Sequence, residues 1–455
     1  MKYQAYPEYK DSGVEWLGDV PEHWSARQLK FLCTCNDEVL PDSISADYEI
    51  EYVDIGSVSA NEGITRTESL VFGSAPSRAR RIVRDGDVIV STVRTYLEAI
   101  APIDNPPENL VVSTGFAVIR PNDYLYKGFA AYCLRANGFI KEVVALSVGV
   151  SYPAINASDL VNIKVPEPLI EEQQKIANFL DHETAKIDTL IEKQQQLIKL
   201  LKEKRQAVIS HAVTKGLNPN APMRDSGVEW LGEVPEHWEI SKFGYISMVV
   251  RGGSPRPAGD PVLFNGDYSP WVTVAEITKD DEIYLTQTDS FLTKKGSDQC
   301  RIFTSGTLLI SNSGATLGVP KILNIDANAN DGVVGFECLS LNHEFAYFYL
   351  STLTEDLRER IKQGSGQPNL NTDIVKDISV PVPPENEVVE IVASIQNIRR
   401  IYAELMSNAS KGIELLKERR TALISAAVTG KIDVRNWQSP EPLLSIKEIH
   451  TEEAA

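Results

Sequence analysis

The sequence lacks the features of secreted and membrane-spanning proteins. Its five cysteines are scattered and odd in number, which indicates reduced thiols rather than a disulfide framework. No apolar run approaches the ~18 residues that a membrane span needs, and the N-terminal residues do not form a charged and then apolar signal. We therefore expect a cytoplasmic protein that has no membrane partner.

Recognisable sites for a nucleotide, a cofactor or a metal ion are also absent. The sequence has no Gly-x-x-x-x-Gly-Lys-Ser/Thr loop for ATP and no glycine-rich cofactor loop after a strand. Cys33 and Cys35 lie close together, but no second Cys or His pair follows at the spacing of a zinc site. We therefore predict that this chain holds no metal ion and no cofactor.

One short motif leaves an enzymatic alternative open. Residues 105–108 read Asn-Pro-Pro-Glu, whereas DNA amino-methyltransferases use Asn/Asp-Pro-Pro-aromatic to hold a flipped base. Glu108 stands where the aromatic ring would stack on the base, which favours a simple proline turn. We therefore predict no catalysis by this chain, and a self-contained DNA adenine methyltransferase remains as an alternative.

Two long stretches, residues 170–216 and 385–431, contain no proline and repeat each other 215 positions apart. Their apolar residues recur in steps of three and four, which is the pattern of a heptad seam. At 1.5 Å per residue such a stretch makes a rod of roughly 65 Å, and its apolar stripe needs a partner. We predict two helices that pack on each other as an antiparallel coiled coil. The predicted seam consists of Ile176, Leu180, Ile187, Leu190, Leu197, Leu201, Val208, Ile391, Ile395, Ile398, Tyr402, Leu405, Leu416 and Leu423.

A second repeat precedes each globular region. Residues 11–24 and 225–238 differ at a single position, and each copy ends in Glu-His-Trp. A histidine beside a glutamate suggests catalysis, so His23 and His237 are candidates for it. Two identical histidines in a tryptophan-flanked loop favour a structural role, which is our prediction.

A globular region of mixed pattern lies between each leader and each long helix. Both copies have short β-like runs, an apolar strand behind a glycine turn, a helical stretch (128–146 and 344–362), a polar loop and a last strand that leads through proline into the long helix. The predicted class is α+β, with two globular domains separated by two long antiparallel helices in an internal pseudo-twofold duplication. The predicted boundaries are 1–168 for the first leader and domain, 169–217 for the first long helix, 218–383 for the second leader and domain, 384–432 for the second long helix, and 433–455 for a polar tail.

The net charge of −18 argues against a nucleic-acid partner, but affinity for phosphate depends on where Lys and Arg residues lie, and a basic second subunit can supply charge. The loops after the apolar strands carry the residue types that bind base edges and phosphates, although ordinary turns have the same polarity. The candidate DNA contacts of the first domain are Arg78, Arg80, Arg81, Ser91, Thr92, Arg94, Ser113, Thr114, Tyr152 and Asn156. Those of the second domain are Ser311, Asn312, Ser313, Thr316, Gln367, Asn369 and Asn371.

The repeated parts resemble one known family. Residues 173–216, both leaders and residues 415–433 are similar to the specificity subunit of Type I restriction-modification systems, and the resemblance covers essentially the whole chain. It implies that each globular domain is a target-recognition domain for one half of a split DNA sequence, and that the paired helices fix the gap between the halves. It also implies separate partner chains: two methyltransferase subunits that bind S-adenosylmethionine, and endonuclease/translocase subunits that use ATP and Mg.

The expected function is a non-catalytic subunit that recognises a bipartite site on double-stranded DNA and directs adenine methylation or restriction by its partners. A coiled-coil scaffold whose globular domains bind proteins is the second alternative. The two long helices differ at their starts, where Gln-Gln-Lys at 173–175 is replaced by Val-Val-Glu at 388–390. This change predicts that partner contacts near the start of the second helix differ from those of the first.

Overall fold

Each long helix contributes one half to each of two structural units. The units are Met1–Gln195 with Lys411–Ala455, and Gln196–Ser410. A computed structural model describes most of the chain, namely residues 3–60, 63–314, 316–359 and 370–439.

Short strands dominate both globular regions, and each region leads into a long helix. The first unit contains β1 (Tyr9–Asp11), β2 (Asp19–Pro21), β3 (Ser25–Gln28), β4 (Cys33–Cys35), β5 (Glu49–Val53), β6 (Val58–Ser59), β7 (Gly63–Ile64), β8 (Glu68–Val71), β9 (Ala79–Ile82), β10 (Val88–Ser91), β11 (Ile100–Pro102), β12 (Leu110–Ser113), β13 (Phe116–Pro121), α1 (Lys127–Cys133), α2 (Asn137–Ala145), α3 (Ala157–Leu160), β14 (Lys164–Glu167) and the start of α4 (Ile170–Lys215). The second unit contains β15 (Met223–Asp225), β16 (Glu233–Pro235), β17 (Glu239–Lys242), α5 (Phe243–Ile246), β18 (Met248–Arg251), β19 (Phe264–Val272), α6 (Val274–Ile277), β20 (Tyr284–Leu285), β21 (Phe291–Leu292), α7 (Lys294–Ser297), β22 (Ile302–Phe303), β23 (Leu308–Ser311), β24 (Pro320–Leu323), β25 (Ala327–Ala329), β26 (Val333–Glu337), α8 (His343–Thr352), α9 (Thr354–Glu359), α10 (Thr372–Asp377), β27 (Ser379–Val382) and the start of α11 (Glu385–Val428).

Two sheets form the first globular region, with strand orders β11-β10-β13-β4 and β8-β5-β12-β9. All four residues of β10 are buried, which explains why this strand is apolar along most of its length. Ser91 at its end pairs with Phe116 at the start of β13, and β12 leads into β13 through a short turn. This register places the chain that follows β10 beside the β12–β13 turn.

The second globular region repeats this plan in the strand orders β18-β26-β23-β24-β20 and β21-β19-β25-β22. β23 takes the place of β10 and is again wholly buried. The parallel pair β5–β12 of the first unit has its counterpart in the parallel pair β19–β25. The predicted α+β class and the internal duplication are confirmed.

The leaders hold the starts of the long helices. Trp24 and Trp238 are fully buried in the cores of the first and second units. His23 Nε2 lies 2.9 Å from Glu172 Oε2, and His237 Nε2 lies 2.6 Å from Glu387 Oε1. Both glutamates belong to the first turn of a helix, where the helix dipole favours a negative charge. These contacts give the two histidines a structural role.

Truncation of either leader tryptophan should strongly destabilise the protein. We expect Trp24→Ala and Trp238→Ala each to lower the free energy of unfolding by about 3–5 kcal/mol, because each leaves a large cavity in a core. Trp238 Nε1 donates to Glu387 Oε2 at 3.0 Å, whereas Trp24 Nε1 is buried with no partner among the described residues. Trp238→Phe should therefore cost about 1 kcal/mol more than Trp24→Phe. Urea unfolding of the full chain measures the difference, and equal costs would contradict it.

The long helices begin and end close to the predicted residues. α4 has 46 residues and α11 has 44. Gly216 and Gly430, both at φ +73°, follow the helix ends in the left-handed conformation that glycine adopts most easily. The first predicted end at residue 216 is therefore one residue late. The second, at 431, is three residues late, because α11 already ends at Val428.

The predicted apolar seam is buried mainly toward the helix ends. Its buried members are Ile176, Leu180, Ile187, Ile391, Ile395 and Leu423. Its half-buried members are Leu201, Val208, Ile398, Tyr402 and Leu416. Three residues predicted to lie in the seam are exposed instead, which corrects the prediction: Leu190 is 47% exposed, Leu197 43% and Leu405 45%. A straight α-helix has about 3.6 residues per turn and not 3.5, so the half-buried face moves on by one residue, to Ile191, Ile198 and Met406.

Within the first unit the two long helices run in opposite directions. Arg420 Nε donates to Asp188 Oδ1 at 3.0 Å. Lys175, which lies earlier in α4, donates to the backbone oxygen of Arg435, which lies beyond α11, at 3.0 Å. In the second unit the end of α4 shares a core with the start of α11. The predicted antiparallel pairing is confirmed.

Three further features differ from the sequence prediction. The helical stretch at 128–146 is divided into α1 and α2, because residues 134–136 do not continue the helix. The stretch at 344–362 is divided between α8 and α9, and its last residues lie outside the described part. Residues 433–437, predicted as the start of a polar tail, pack on the first unit, with Val434 only 1% exposed. Residues 440–455 lie outside the described residues.

Candidate nucleic-acid interface

Three loop segments meet beyond the buried strand β10 of the first unit. They are residues 92–98 after β10, the turn at 113–115, and residues 147–155. The Thr92 amide donates to the Gly115 carbonyl at 2.8 Å, and the Ile155 amide donates to the Thr92 carbonyl at 2.9 Å. These backbone hydrogen bonds form a frame that fixes the three segments together.

Exposed side chains on this frame combine apolar, aromatic and cationic character. The Arg94 guanidinium lies over the Tyr152 ring, 5.0 Å from its centroid. Val150 is fully exposed and Val148 is 80% exposed, which is unusual for valine. We name seven exposed residues of the frame the loop surface: Arg94, Tyr96, Leu97, Thr114, Val148, Val150 and Tyr152. Glu98 and Ser151 are exposed on the same segments.

Arg94 has a strained backbone at φ +51°. A left-handed conformation costs a non-glycine residue roughly 1–2 kcal/mol, and such strain is concentrated at functional sites. The equivalent residue of the second unit is Gly314, at φ +80°. The first unit therefore keeps an arginine where glycine would be the easier residue.

The second unit contains the same backbone frame. The Asn312 amide donates to the Gly332 carbonyl at 2.9 Å, and the Leu370 amide donates to the Asn312 carbonyl at 2.7 Å. Thr316 is exposed and Ser313 is half-buried next to this frame. The remaining predicted contacts in the adjoining loop, Gln367 and Asn369, lie outside the described residues.

Four predicted DNA contacts are buried, which corrects the sequence prediction, and the side chains of three of them support the frame. Ser91 Oγ donates to the Val93 carbonyl at 2.6 Å, and Ser311 Oγ donates to the Thr316 carbonyl at 2.7 Å. Ser113 Oγ accepts from the Gly115 amide at 3.3 Å. The Asn312 side chain is fully buried, and neither polar atom of its amide has a hydrogen-bond partner among the described residues. The three serines at the ends of buried strands thus satisfy the backbone rather than facing solvent.

Three further polar candidates are engaged locally. Asn371 caps α10, because its side chain accepts from the Ile374 amide at 2.8 Å. Asn156 precedes α3, and its side-chain amide donates to Asp159 Oδ2 at 3.2 Å. Thr92 Oγ1 donates to the Gly115 carbonyl at 2.9 Å. Each of these side chains therefore stabilises the end of a loop or the start of a helix.

The arginines near β9 divide into two groups. Arg78 is exposed, and its carbonyl accepts from the Thr114 amide at 2.8 Å, so it adjoins the loop surface. The Arg80 guanidinium lies 4.6 Å from the Phe72 ring centroid and 3.8 Å from Asp42. Burial lowers the pKa of the Arg81 guanidinium, yet arginine stays charged at neutral pH. Only Arg78 of the three therefore stands beside the loop surface.

The structure also locates the features weighed for catalysis. Asn105 lies in an exposed turn at φ +43°, where its backbone N–H donates to Asp85 Oδ1 at 3.0 Å. In the described part of the chain no group of three or more His, Cys, Asp or Glu side chains could hold a metal ion. None of the described helices combines the length and the apolar character needed to cross a membrane.

Sequence reasoning missed the apolar part of the loop surface, although one signal for it was present. Val148 and Val150 flank Gly149 in the sequence, and an isolated glycine interrupts a strand-like run. The structure has Gly149 at φ +119° and an isolated bridge between Val148 and Ala154, so the two valines lie on a projecting loop.

Known proteins share both the sequence pattern and the fold. Residues 21–200 and 235–415 match the family model of the Type I restriction modification DNA specificity domain. The chain is 23% identical over 452 residues to the Type I restriction enzyme MjaIX specificity subunit of Methanocaldococcus jannaschii, a match that covers 95% of this chain and 98% of that protein. It is 22% identical over 336 residues to the Type I restriction enzyme EcoKI specificity subunit of Escherichia coli K12, covering 71% and 69% of the two chains.

Two solved structures share the fold. One, from work on complex assembly and conformational transition of the type I R-M system, gives a TM-score of 0.69 at 23% identity and covers 91% of this chain and 99% of its own. The crystal structure of the HsdS subunit from Thermoanaerobacter tengcongensis gives a TM-score of 0.52 at 23% identity, covering 91% and 98%. With both halves matched by the same family model, the chain belongs to the family of Type I restriction-modification DNA specificity subunits.

Proposed function

We propose that this chain is the non-catalytic subunit that reads a bipartite double-stranded DNA site for partner subunits, which then methylate adenine or restrict the DNA. One observation carries the proposal: both units keep the same backbone frame but present different side chains on it. Arg94 and Tyr96 of the first unit stand where the second has Gly314 and Thr316. A backbone frame that is common to both units but carries different loop residues suits the recognition of two different half-sites.

The chemistry is assigned to the partners. Two methyltransferase subunits would bind S-adenosylmethionine, and endonuclease/translocase subunits would use ATP and Mg. This assignment is supported by Glu108, which stands in place of the stacking ring of an amino-methyltransferase, and by the exposed turn that carries it. The role of this chain is to bind and position DNA.

The charge balance predicts that DNA binding depends on the partners. With a net charge of −18, the chain gains little from the release of counterions along the phosphate backbone. The loop surface contributes one cation, Arg94, with Arg78 beside it. We therefore expect weak DNA binding by the chain alone and tight, sequence-specific binding in the assembled complex.

Methylome sequencing of a host that carries this chain and its methyltransferase partner tests the proposal. The expected result is adenine methylation at a split sequence with two different half-sites, which is absent when this chain is omitted. Equilibrium dialysis of the purified chain with S-adenosylmethionine should detect no binding. Nanomolar sequence-specific binding by the chain alone, or cofactor binding to it, would contradict the proposal.

A further inference from the structure

The carboxylate of Glu172, in the first turn of α4, is covered in the first unit. Glu172 is 6% exposed and accepts a hydrogen bond from the Tyr6 hydroxyl at 2.6 Å, besides its contact with His23. The Arg435 guanidinium lies over the Tyr6 ring, 5.0 Å from its centroid. Arg435 Nη2 also donates to Asp433 Oδ2 at 2.7 Å, so an ion pair over the Tyr6 ring closes this side of the site.

The chain beyond α11 completes this cover. Trp437 packs edge-on against Phe179, with ring centroids 5.7 Å apart, and beside His182 at 5.8 Å. Lys175 Nζ donates to the Arg435 carbonyl at 3.0 Å. Two segments, residues 3–9 and 431–437, therefore lie over the start of the helix.

At the start of α11 the second unit has a single chain segment, whereas two segments lie over the start of α4 in the first unit. There α4 runs directly through residues 216–222 into the second leader. Asn220, which matches Tyr6 in sequence, is exposed, and the corresponding carboxylate of Glu387 is only half-buried. Glu387 accepts from Trp238 and contacts His237, and its side chain is 32% exposed.

A pocket of about 360 Å³ occupies the uncovered place. Its walls combine apolar side chains with two carboxylates and an ammonium group, and include Lys215, Leu217, Pro235, His237, Glu387 and Glu390. Its volume lies in the range of pockets that take a side chain or a small ligand. The same place in the first unit holds Tyr6, Arg435 and Trp437.

The charge of the pocket differs from that of its counterpart. Glu390 stands where the first helix has Lys175, so this position carries a carboxylate in place of an ammonium group, while Lys215 also lines the pocket. Val389 beside it is 60% exposed. Carboxylates next to apolar walls complement an arginine that lies beside an aromatic ring, which is the combination that covers the first unit.

We propose that this pocket binds a segment of the methyltransferase partner that presents an arginine next to an aromatic side chain. The segment would cover Glu387 and Glu390 at the start of α11, as Tyr6, Arg435 and Trp437 cover the start of α4. The proposal rests on the proposed function, which supplies the partner, and adds the surface and the chemistry by which one copy of that partner is held.

Site-specific photo-cross-linking in the assembled complex tests where the partner lies. Leu217 lines the pocket and is 46% exposed, so a benzophenone amino acid at this position should react with whatever fills it. The expected product joins this chain to a methyltransferase peptide that contains an arginine within a few residues of Tyr, Trp or Phe. A product with DNA, with this chain itself or with a partner peptide lacking those residues would overturn the proposal, as would no product.

A charge reversal tests the chemistry. Glu390→Lys restores the residue type of the first helix on an exposed position, and it should weaken the binding of the methyltransferase subunit by about tenfold and reduce the cross-link at position 217. Glu404→Lys makes the same charge change on an exposed residue of the same helix outside the pocket. It should change neither the binding of the methyltransferase subunit nor the cross-link at position 217.

The outcomes separate this proposal from the function on which it rests. If the wild-type chain binds the methyltransferase subunit but Glu390→Lys and Glu404→Lys behave alike, the pocket proposal is wrong and the proposed function stands. If the wild-type chain binds no methyltransferase subunit, the proposed function fails and the pocket proposal fails with it.

Discussion

Insertion of four residues into both long helices should abolish methylation of the original target and create a target with the same half-sites and a longer gap. The insertions follow Gln195 and Ser410, which are exposed and lie at the boundary between the units. Four residues make slightly more than one turn and add about 6 Å along a helix. At ~3.4 Å per base pair this corresponds to roughly two additional base pairs. The apolar faces stay nearly in phase, so the helices can still pair.

Methylome sequencing of the host measures both the lost and the new target. The half-sites should be unchanged, because the insertions leave the loop surface of the first unit and its counterpart in the second untouched. A four-residue insertion in α4 alone is the control, and it should weaken the complex because the two helices no longer match in length. New half-site bases in the double insertion would contradict the role of the helices as a spacer.

Replacement of Arg94 by glycine should reduce methylation of the target by roughly 5- to 150-fold, the equivalent of about 1–3 kcal/mol for an arginine that contacts a base. The side chain leaves the loop surface, and its stacking on Tyr152 is lost. Stability should be equal or higher, because glycine adopts φ +51° without the strain that arginine carries there. Loss of activity without loss of stability would separate recognition from folding.

Competition binding with the assembled complex distinguishes two kinds of contact. A base contact predicts relaxed specificity at one base pair of one half-site, whereas a phosphate contact predicts uniform weakening and a smaller salt dependence. Arg84→Ala is the control, because this exposed arginine of the same unit is paired with Glu38 at 2.8 Å. Unchanged methylation by the Arg94 variant would remove this residue from the proposed interface.

The long helices and leaders were predictable because their signals are local and occur twice. An uninterrupted helical period predicted residues 170–216, and the helix found is Ile170–Lys215. Nearly identical leaders in two sequence contexts indicated a shared structural task, and both place a histidine against the first turn of a long helix. A pattern of this kind depends on neighbours in the chain and little on the rest of the fold.

The loop contacts were less predictable because burial depends on strand register. Ser113 and Asn312 have the residue types of a DNA-binding loop, yet both lie at 0% exposure where a buried strand ends. Val150 has the residue type of a core and is fully exposed. Residue type alone could not separate these cases, since the same polarity satisfies a buried backbone or faces solvent.

By itself the sequence determined the duplication, the α+β class, the two long antiparallel helices and the family, because these follow from repeated local patterns. Only the tertiary structure decided which loop residues are exposed, that Arg94 is held in a left-handed conformation over Tyr152, and that residues 431–437 cover one helix start while the other keeps a pocket. Those features depend on contacts between residues far apart in the chain, for which one sequence carries no periodic signal.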